Sequence, residues 1–107
     1  MLGYVYFITD GINIKIGFTS KSIKKRLKQL QTGNDKPLYI LGYISGTKET
    51  ESNLHKLFHQ ERIRYNGEWF APSEFILDYI NRYNEKPNTI IDYVDGKLMS
   101  LLSLKQS

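Results

Sequence analysis

The chain has 107 residues, of which 40% are hydrophobic, 13% aromatic and 24% charged, a composition that fits one globular domain and excludes wholesale disorder. It contains no cysteine, which excludes disulfides, cysteine-ligated zinc and a thiol nucleophile and fits a reducing compartment. Its 15 bases and 11 acids give a net charge of +4. No apolar run approaches the ~20 residues of a membrane span, and the N-terminus lacks the features of a signal peptide, so we expect an intracellular protein without a membrane partner.

The N-terminal segment has the pattern of a β-hairpin. Residues 5–8 and 12–18 are rich in β-forming side chains, and Asp10-Gly11 between them is a turn signal. An isoleucine occupies every other position of the second arm: Ile12, Ile14 and Ile16. We expect these three side chains to face the core, with Lys15 on the opposite face of the strand.

A helix, a strand and a second helix are predicted next. Thr19 or Ser20 can cap a helix that runs to about residue 31, and Gly33 is a stop signal. A strand over residues 38–45 follows, and Thr47 can cap a helix that reaches residue 62 or 64. The expected inner faces of the two helices are Ile23, Leu27 and Leu30, and Leu54, Leu57 and Phe58.

The remaining pattern alternates short extended segments with a third helix. Asn66-Gly67 predicts a turn, residues 68–70 a short extended segment, and Pro72-Ser73 the start of a helix that runs to about residue 83. The core-facing stripe of that helix is Phe75, Ile76, Tyr79, Ile80 and Tyr83.

The tail follows a linker at residues 85–88 and has two interpretations. It can be a hairpin about Asp95-Gly96, or residues 97–104 can be helical. The interleaved strand and helix patterns predict an α+β fold with a small antiparallel sheet. We predict a domain over residues 1–84 and a C-terminal extension over residues 85–107.

Positive charge is concentrated in the first helix and its flanks. Residues 15–36 contain seven bases and one acid, so this window carries +6 and the rest of the chain −2. A basic helix beside a small sheet suits a phosphate backbone, although a solvated helix face has the same composition. The lysines that we assign to nucleic-acid binding are Lys21, Lys24, Lys25 and Lys28.

Arg26 differs from those lysines because helical geometry places it beside the apolar stripe. Packing would hold its planar guanidinium in place for a phosphate. The alternative is an arginine with a buried stem and a solvated head.

Glu51, His55 and His59 recur at intervals of four residues in the second helix. Helical geometry places Glu51 against the apolar stripe, where a half-buried carboxylate needs a base or a metal ion as partner. His59 is expected in solvent. A zinc pair of the two histidines is disfavoured because Lys56, not a glutamate, follows His55.

The chain carries an ordered set of short motifs, which reads Tyr4-Val5-Tyr6, Lys15-Ile16-Gly17, Arg26, Glu51 with His55, and Glu68-Trp69-Phe70. The set resembles the GIY-YIG nuclease superfamily, in particular its branch from phages and DNA viruses. That branch has a K-I-G second motif and a later E-x-x-x-H followed by E-W-F. The resemblance covers about residues 3–70.

The resemblance implies a three-stranded antiparallel sheet flanked by helices and metal-dependent hydrolysis of phosphodiester bonds. It places Tyr6 at the tyrosine of the first motif, Arg26 at the helix arginine and Glu51 at the metal-binding glutamate. Lys15 stands where the second motif usually has tyrosine, and Gly17 matches its last glycine. Tyr4 departs from the first motif's glycine.

The chemistry of these residues is consistent with that activity. Glu51 can hold Mg²⁺ or Mn²⁺ through one carboxylate, and Arg26 can stabilise charge on the phosphate. Tyr6 is a candidate general base whose ordinary pKa near 10 Lys15 could lower. Alternatively, Lys15 contacts the phosphate or is itself the base. His55 is a reserve proton carrier or a phosphate ligand.

We therefore predict a Mg²⁺-dependent endonuclease that acts on DNA, with RNA left open, in the cytoplasm of the host if its source is a phage or virus. A homodimer is possible on this reading, because cutting both strands needs two sites or two events. The main alternative is a nucleic-acid-binding module on the same scaffold with little or no catalysis. A protein-interaction domain with an incidental basic helix is the third candidate.

Overall fold

The N-terminal hairpin forms the centre of the fold. The fold is that of a computed structural model, and the structure describes residues 1–63, 67–87 and 89–102. Strand β1 spans Gly3–Thr9 and pairs antiparallel with β2, Ile14–Thr19. The turn between them is held by Asp10, whose carboxylate accepts the backbone N–H groups of Ile12 and Asn13 at 2.9 Å each.

Two more strands complete an antiparallel sheet in the order β3-β1-β2-β4. Strand β3, Tyr39–Gly46, pairs with β1, whereas β4 is only Trp69–Phe70 and pairs with Ile14 and Lys15 of β2. The predicted α+β class with a small antiparallel sheet is confirmed, and the extended segment predicted at residues 68–70 adds a short fourth strand to the three long ones.

Three ten-residue helices cover the sheet: α1, Ile23–Thr32; α2, Lys48–Leu57; and α3, Glu74–Tyr83. Helix α1 places its predicted stripe over one face of the sheet, against Tyr6 and Ile8. The main core lies on the other face, where Leu54 of α2 and Ile76 and Ile80 of α3 are buried. The termini follow the capping rules, since Thr47 and Ser73 accept backbone N–H groups at the start of α2 and α3.

Several predicted details are wrong. Helix α1 is capped by Ser22, not by Thr19 or Ser20. Helix α2 ends at Leu57, because Phe58 turns into the core and a 3₁₀ turn, His59–Glu61, follows. As a result, Leu57 is 47% exposed.

The isoleucine prediction also fails at one position. Ile12 precedes β2 and is 55% exposed, whereas Ile14 and Ile16 are fully buried as predicted. The predicted helix end at residue 64 and the turn residue Asn66 lie outside the described residues.

The tail adopts the hairpin interpretation. Strands β5, Thr89–Val94, and β6, Lys97–Leu102, pair as a separate two-stranded sheet around Asp95 and Gly96, which both have positive φ. Ile91 and Leu98 are buried in the main core, so the hairpin packs on the same core as the helices. The division at residue 84 stays a prediction. In the part of the chain that the structure describes, no helix has the length and apolar character to cross a membrane.

Candidate functional site

Tyr6 occupies the centre of the candidate site. The β1–β2 register places it directly opposite Gly17. A Cβ atom built on Gly17 would lie 2.2 Å from the Tyr6 hydroxyl oxygen, so the tyrosine ring occupies the space that any side chain at position 17 would need. Tyr6 is only 1% exposed. The last glycine of the Lys15-Ile16-Gly17 motif is therefore required by the ring packed against it.

Arg26 contacts the Tyr6 hydroxyl group from α1. Its Nε donates a hydrogen bond to the Tyr6 oxygen over 3.4 Å, and its Nη1 donates to Gln29 Oε1 over 3.2 Å. The side chain is half-buried, as expected for an arginine at the border of an apolar stripe. The guanidinium is thus held beside the tyrosine by packing and by two hydrogen bonds.

Burial dominates the acidity of Tyr6. Desolvation raises the pKa of the Tyr6 hydroxyl above its ordinary 10.0, and the hydrogen bond and charge of Arg26 lower it only in part. The negative charges of Glu68 and Glu51 raise this pKa further. At neutral pH Tyr6 is therefore a neutral phenol that can donate as well as accept a hydrogen bond.

Glu51 is a buried carboxylate with an incomplete set of partners. It lies in the first turn of α2 and is 3% exposed, more deeply buried than the helical geometry predicted. Its Oε1 accepts from Lys48 Nζ at 2.7 Å, whereas its Oε2 has no hydrogen-bond partner among the described residues. A buried carboxylate oxygen left in this state is costly, and a bound cation is one partner that would satisfy it.

The edge of β2 explains how α2 reaches the site. Strand β4 pairs only with Ile14 and Lys15. The backbone N–H and carbonyl of Ile16 at this edge therefore form hydrogen bonds with other groups. Ile16 N donates to the Glu68 carbonyl oxygen at 3.1 Å, and the Ile16 carbonyl accepts from His55 Nε2 at 2.9 Å. His55 therefore ties α2 to the strand one helical turn after Glu51.

The hydrogen bond to Ile16 gives His55 a structural role. Its Nε2 is a donor to a backbone carbonyl, and its ring packs against Phe70 with centroids 5.1 Å apart. Its predicted part in proton transfer or phosphate binding would have to use the other ring nitrogen. His59 is exposed, as predicted.

Lys15 shares the sheet face of Tyr6 but has a different partner. Its Nζ forms an ion pair with Glu68 Oε2 at 3.2 Å and lies 5.6 Å from the centroid of the Trp69 ring. Among the described residues, the cation that hydrogen bonds to Tyr6 is Arg26. The expectation that Lys15 lowers the pKa of Tyr6 is therefore wrong.

The structure brings three of the predicted residues into one electrostatic neighbourhood. Arg26 and Glu51 act on the pKa of Tyr6 with opposite signs. Lys15 is linked to the group through Glu68, whose charge acts on Tyr6, Arg26 and Lys48. No hydrogen bond or ion pair joins Glu51 directly to Arg26 in the described part of the chain.

The residues present fit one divalent cation with few protein ligands. Among the described residues there is no group of three or more histidine, aspartate or glutamate side chains able to hold a metal ion. Mg²⁺ commonly keeps several waters and takes phosphate oxygens as further ligands. The unpartnered Glu51 Oε2 is the donor atom that this kind of site requires.

The four lysines assigned to nucleic-acid binding are all exposed on or beside α1: Lys21, Lys24, Lys25 and Lys28. Arg26 projects from the same helix toward Tyr6. The solvent side of α1 is therefore cationic, and its inner border supplies the arginine of the site.

Sequence reasoning assigned no role to two charged residues of this neighbourhood. Lys48 lies three residues before Glu51, a helical ion-pair spacing that could have revealed it. Glu68 pairs with Lys15 across neighbouring segments, and no spacing along the chain indicates that contact.

Comparison with known protein families identifies the family of the chain. The T5orf172 domain model matches residues 3–84 of the chain, which include every residue of the candidate site. T5orf172 domains are found in phage proteins and in some nucleases. Neither the curated proteins nor the solved structures contain a match.

Proposed function

Because the chain belongs to the T5orf172 domain family, a family associated with nuclease-like and DNA-binding phage proteins, we propose that it is a metal-dependent endonuclease that hydrolyses phosphodiester bonds in DNA. The observation that carries this proposal is the buried Glu51 carboxylate, with an oxygen that has no partner among the described residues, in the electrostatic neighbourhood of Tyr6 and Arg26. The motif order supports placement in the phage and DNA-virus branch of the GIY-YIG superfamily.

Glu51 is the proposed ligand for Mg²⁺ or Mn²⁺. When bound, the ion neutralises charge on the phosphate oxygens and activates water. Lys48 partly compensates the Glu51 charge through Oε1, which leaves Oε2 for the ion. His55 holds α2 against β2 and so fixes the carboxylate relative to the sheet.

Arg26 and Lys15 are the proposed phosphate contacts. The Arg26 guanidinium carries a permanent positive charge, and its position beside Tyr6 suits stabilisation of the charge that develops on the phosphate. Lys15 is held at the edge of the site by its ion pair with Glu68. We therefore assign it electrostatic binding of the phosphate rather than proton transfer.

Tyr6 is the proposed proton acceptor. In the deprotonated fraction, the Tyr6 phenolate oxygen accepts a proton from the attacking water as the new P–O bond forms. The P–O bond to the leaving nucleotide breaks, and the leaving oxygen takes a proton from solvent. Since burial raises the pKa of Tyr6, the phenolate fraction is small at neutral pH. We expect kcat/KM to rise with pH from 6 to at least 9.

Nicking of supercoiled plasmid tests the proposal. We expect Mg²⁺- or Mn²⁺-dependent nicking, reduced at least about 100-fold in Glu51→Gln and in Arg26→Ala, because each removes charge from the reaction centre. Matched controls are Glu49→Gln, an exposed carboxylate of the same helix turn, and Arg82→Ala, an exposed arginine of α3. Glu51→Gln and Glu49→Gln nicking at equal rates would contradict the proposal.

A nucleic-acid-binding module with little catalysis is the second candidate, and one observation favours it. Tyr6 is almost fully buried and its pKa is raised, which opposes a role as base. Inactivity of the native chain with both ions, together with salt-sensitive DNA binding, would select this candidate. Nothing among the described residues supports the homodimer that the sequence left possible, so the proposal concerns one chain and one phosphate.

A further inference from the structure

A groove between α1 and β3 adjoins the candidate site. It has a volume of about 290 Å³ and is lined by Ile23, Lys24, Ile40, Tyr43 and Lys86. Tyr43 lies directly opposite Tyr6 in the β1–β3 register. Ile23 lies one helical turn before Arg26. The two long walls of the groove are thus continuous with the elements that hold the Tyr6–Arg26 pair.

The sheet wall of the groove continues into an exposed aromatic pair. Tyr4 lies two residues before Tyr6 on β1, so both side chains leave the same face of the sheet. The Tyr4 and Tyr43 rings meet edge to face, with centroids 5.5 Å apart and an interplanar angle of 83°. Tyr4 is 39% exposed and Tyr43 is half-buried. The sequence contains eight tyrosines, and it is the register that places these two beside Tyr6.

Two cations flank this aromatic surface. Lys24 is exposed on α1. Lys86 is fixed from the other side, since its Nζ donates to the Ile40 carbonyl and to Ser100 Oγ at 3.3 Å each. An apolar, aromatic groove with a positive charge on each side complements a flat ring attached to an anionic backbone, which is the chemistry of a nucleotide.

We propose that Tyr43 and Tyr4 bind an unpaired nucleobase next to the phosphate held by Arg26. The position of that phosphate rests on the proposed function. A base inside an intact duplex is stacked on both neighbours and cannot also stack on a side chain. The substrate class is therefore a polynucleotide with an unpaired nucleotide at the site of cleavage, such as a single strand, flap or bulge.

Fluorescence of 2-aminopurine tests this inference. Full-length Glu51→Gln protein without divalent ions is titrated into a duplex with one bulged 2-aminopurine and into the same duplex with that base paired. We expect about tenfold tighter binding of the bulged duplex, with quenching of the bulged base. Tyr43→Phe should keep both effects, and Tyr43→Leu should lose both while keeping apolar bulk. Tyr93→Leu, at an exposed tyrosine of β5, is the control and should behave like its parent.

The outcomes separate this inference from the proposed function. Equal affinity for the two duplexes without quenching overturns the unpaired-base subsite and leaves the nicking result to decide on hydrolysis. Preference and quenching without any nicking by the native chain support the subsite and overturn the nuclease. Absence of binding to either duplex overturns both. If circular dichroism shows that Tyr43→Leu is unfolded, Tyr4→Leu at the exposed end of the pair provides the same readout, and retention of quenching there overturns the subsite.

Discussion

Tyr6 combines a structural and a chemical role in a single side chain. Its ring fills the space above Gly17, and its hydroxyl group is the acceptor for Arg26. Burial is the largest influence on its pKa and raises it. In the unfolded chain the same hydroxyl group would titrate near its ordinary pKa of about 10. Folding therefore binds the Tyr6 proton more tightly.

Linkage converts this difference into pH-dependent stability. Because the pKa of Tyr6 is raised in the folded state, its contribution to stability is present below about pH 10 and is lost as the pH rises through the folded value. We expect the free energy of unfolding, measured with urea from pH 8 to 11, to fall less steeply in Tyr6→Phe than in the native chain. Tyr93→Phe is the exposed control and should follow the native curve. A Tyr6→Phe curve parallel to the native one would refute the assignment.

The sequence predicted that Glu51 is partly buried but did not predict how deeply. Helical spacing placed it beside the apolar stripe, and the structure buries it almost completely with Lys48 on one oxygen. Its partners could not be predicted in full. The charge of Glu51 acts on Tyr6 from a distant part of the chain, and only the packed structure supplies that relation.

At the scale of the elements, the β1–β2 register is the feature that the site depends on most. It aligns Tyr6 with Gly17 and leaves no room for a Cβ atom. We expect Gly17→Ala to lower the free energy of unfolding by about 2 kcal/mol through overpacking and to abolish nicking by displacing Tyr6. Gly33→Ala is the matched control, since its added Cβ would meet no atom within 4 Å beyond the adjoining backbone. Urea denaturation in which the two variants are equally stable would contradict this reading of the register.

Helix boundaries were predictable in part: the sequence missed the cap of α1 and the end of α2. Thr47 and Ser73 cap α2 and α3 as their side-chain chemistry predicts. The end of α2 was not predictable from periodicity, because Phe58 continues the apolar pattern while its backbone leaves the helix. The partner of Lys15 was equally hidden. The alternation of side chains along β2 predicted which face of the strand Lys15 occupies. Whether Lys15 pairs with Tyr6 or with Glu68 depends on how β4 and Glu68, the residue before it, approach β2.

For the molecule as a whole, charge is distributed unevenly along the chain even though the net charge is modest. The window of residues 15–36 carries +6, and the rest of the chain carries −2. The exposed lysines of this window surround the helix that supplies Arg26. A polyanion would therefore be attracted to the face of the molecule that carries the site.

Salt dependence tests this orientation. We expect Lys25→Ala and Lys28→Ala each to reduce the slope of log K against log salt by about 0.7–0.9, the value for one lost phosphate contact. Lys97→Ala, at an exposed lysine of the tail hairpin, should leave the slope unchanged. Fluorescence anisotropy with a labelled duplex, at salt concentrations of about 50–300 mM, measures the three slopes. Equal slopes in all three variants would show that α1 does not face the nucleic acid.

Direct observation of a cation at Glu51 is the measurement on which the proposed chemistry depends most. In ¹H–¹⁵N spectra of the full chain, Mn²⁺ should broaden the amide signals of Glu51, His55 and Gly17, because Glu51 would hold the ion and His55 ties the same helix to Ile16, the neighbour of Gly17. The broadening should disappear in Glu51→Gln and persist in Glu49→Gln. Broadening that survives in Glu51→Gln, or that is centred on residues far from Glu51, would contradict the proposed metal site and the hydrolysis that depends on it.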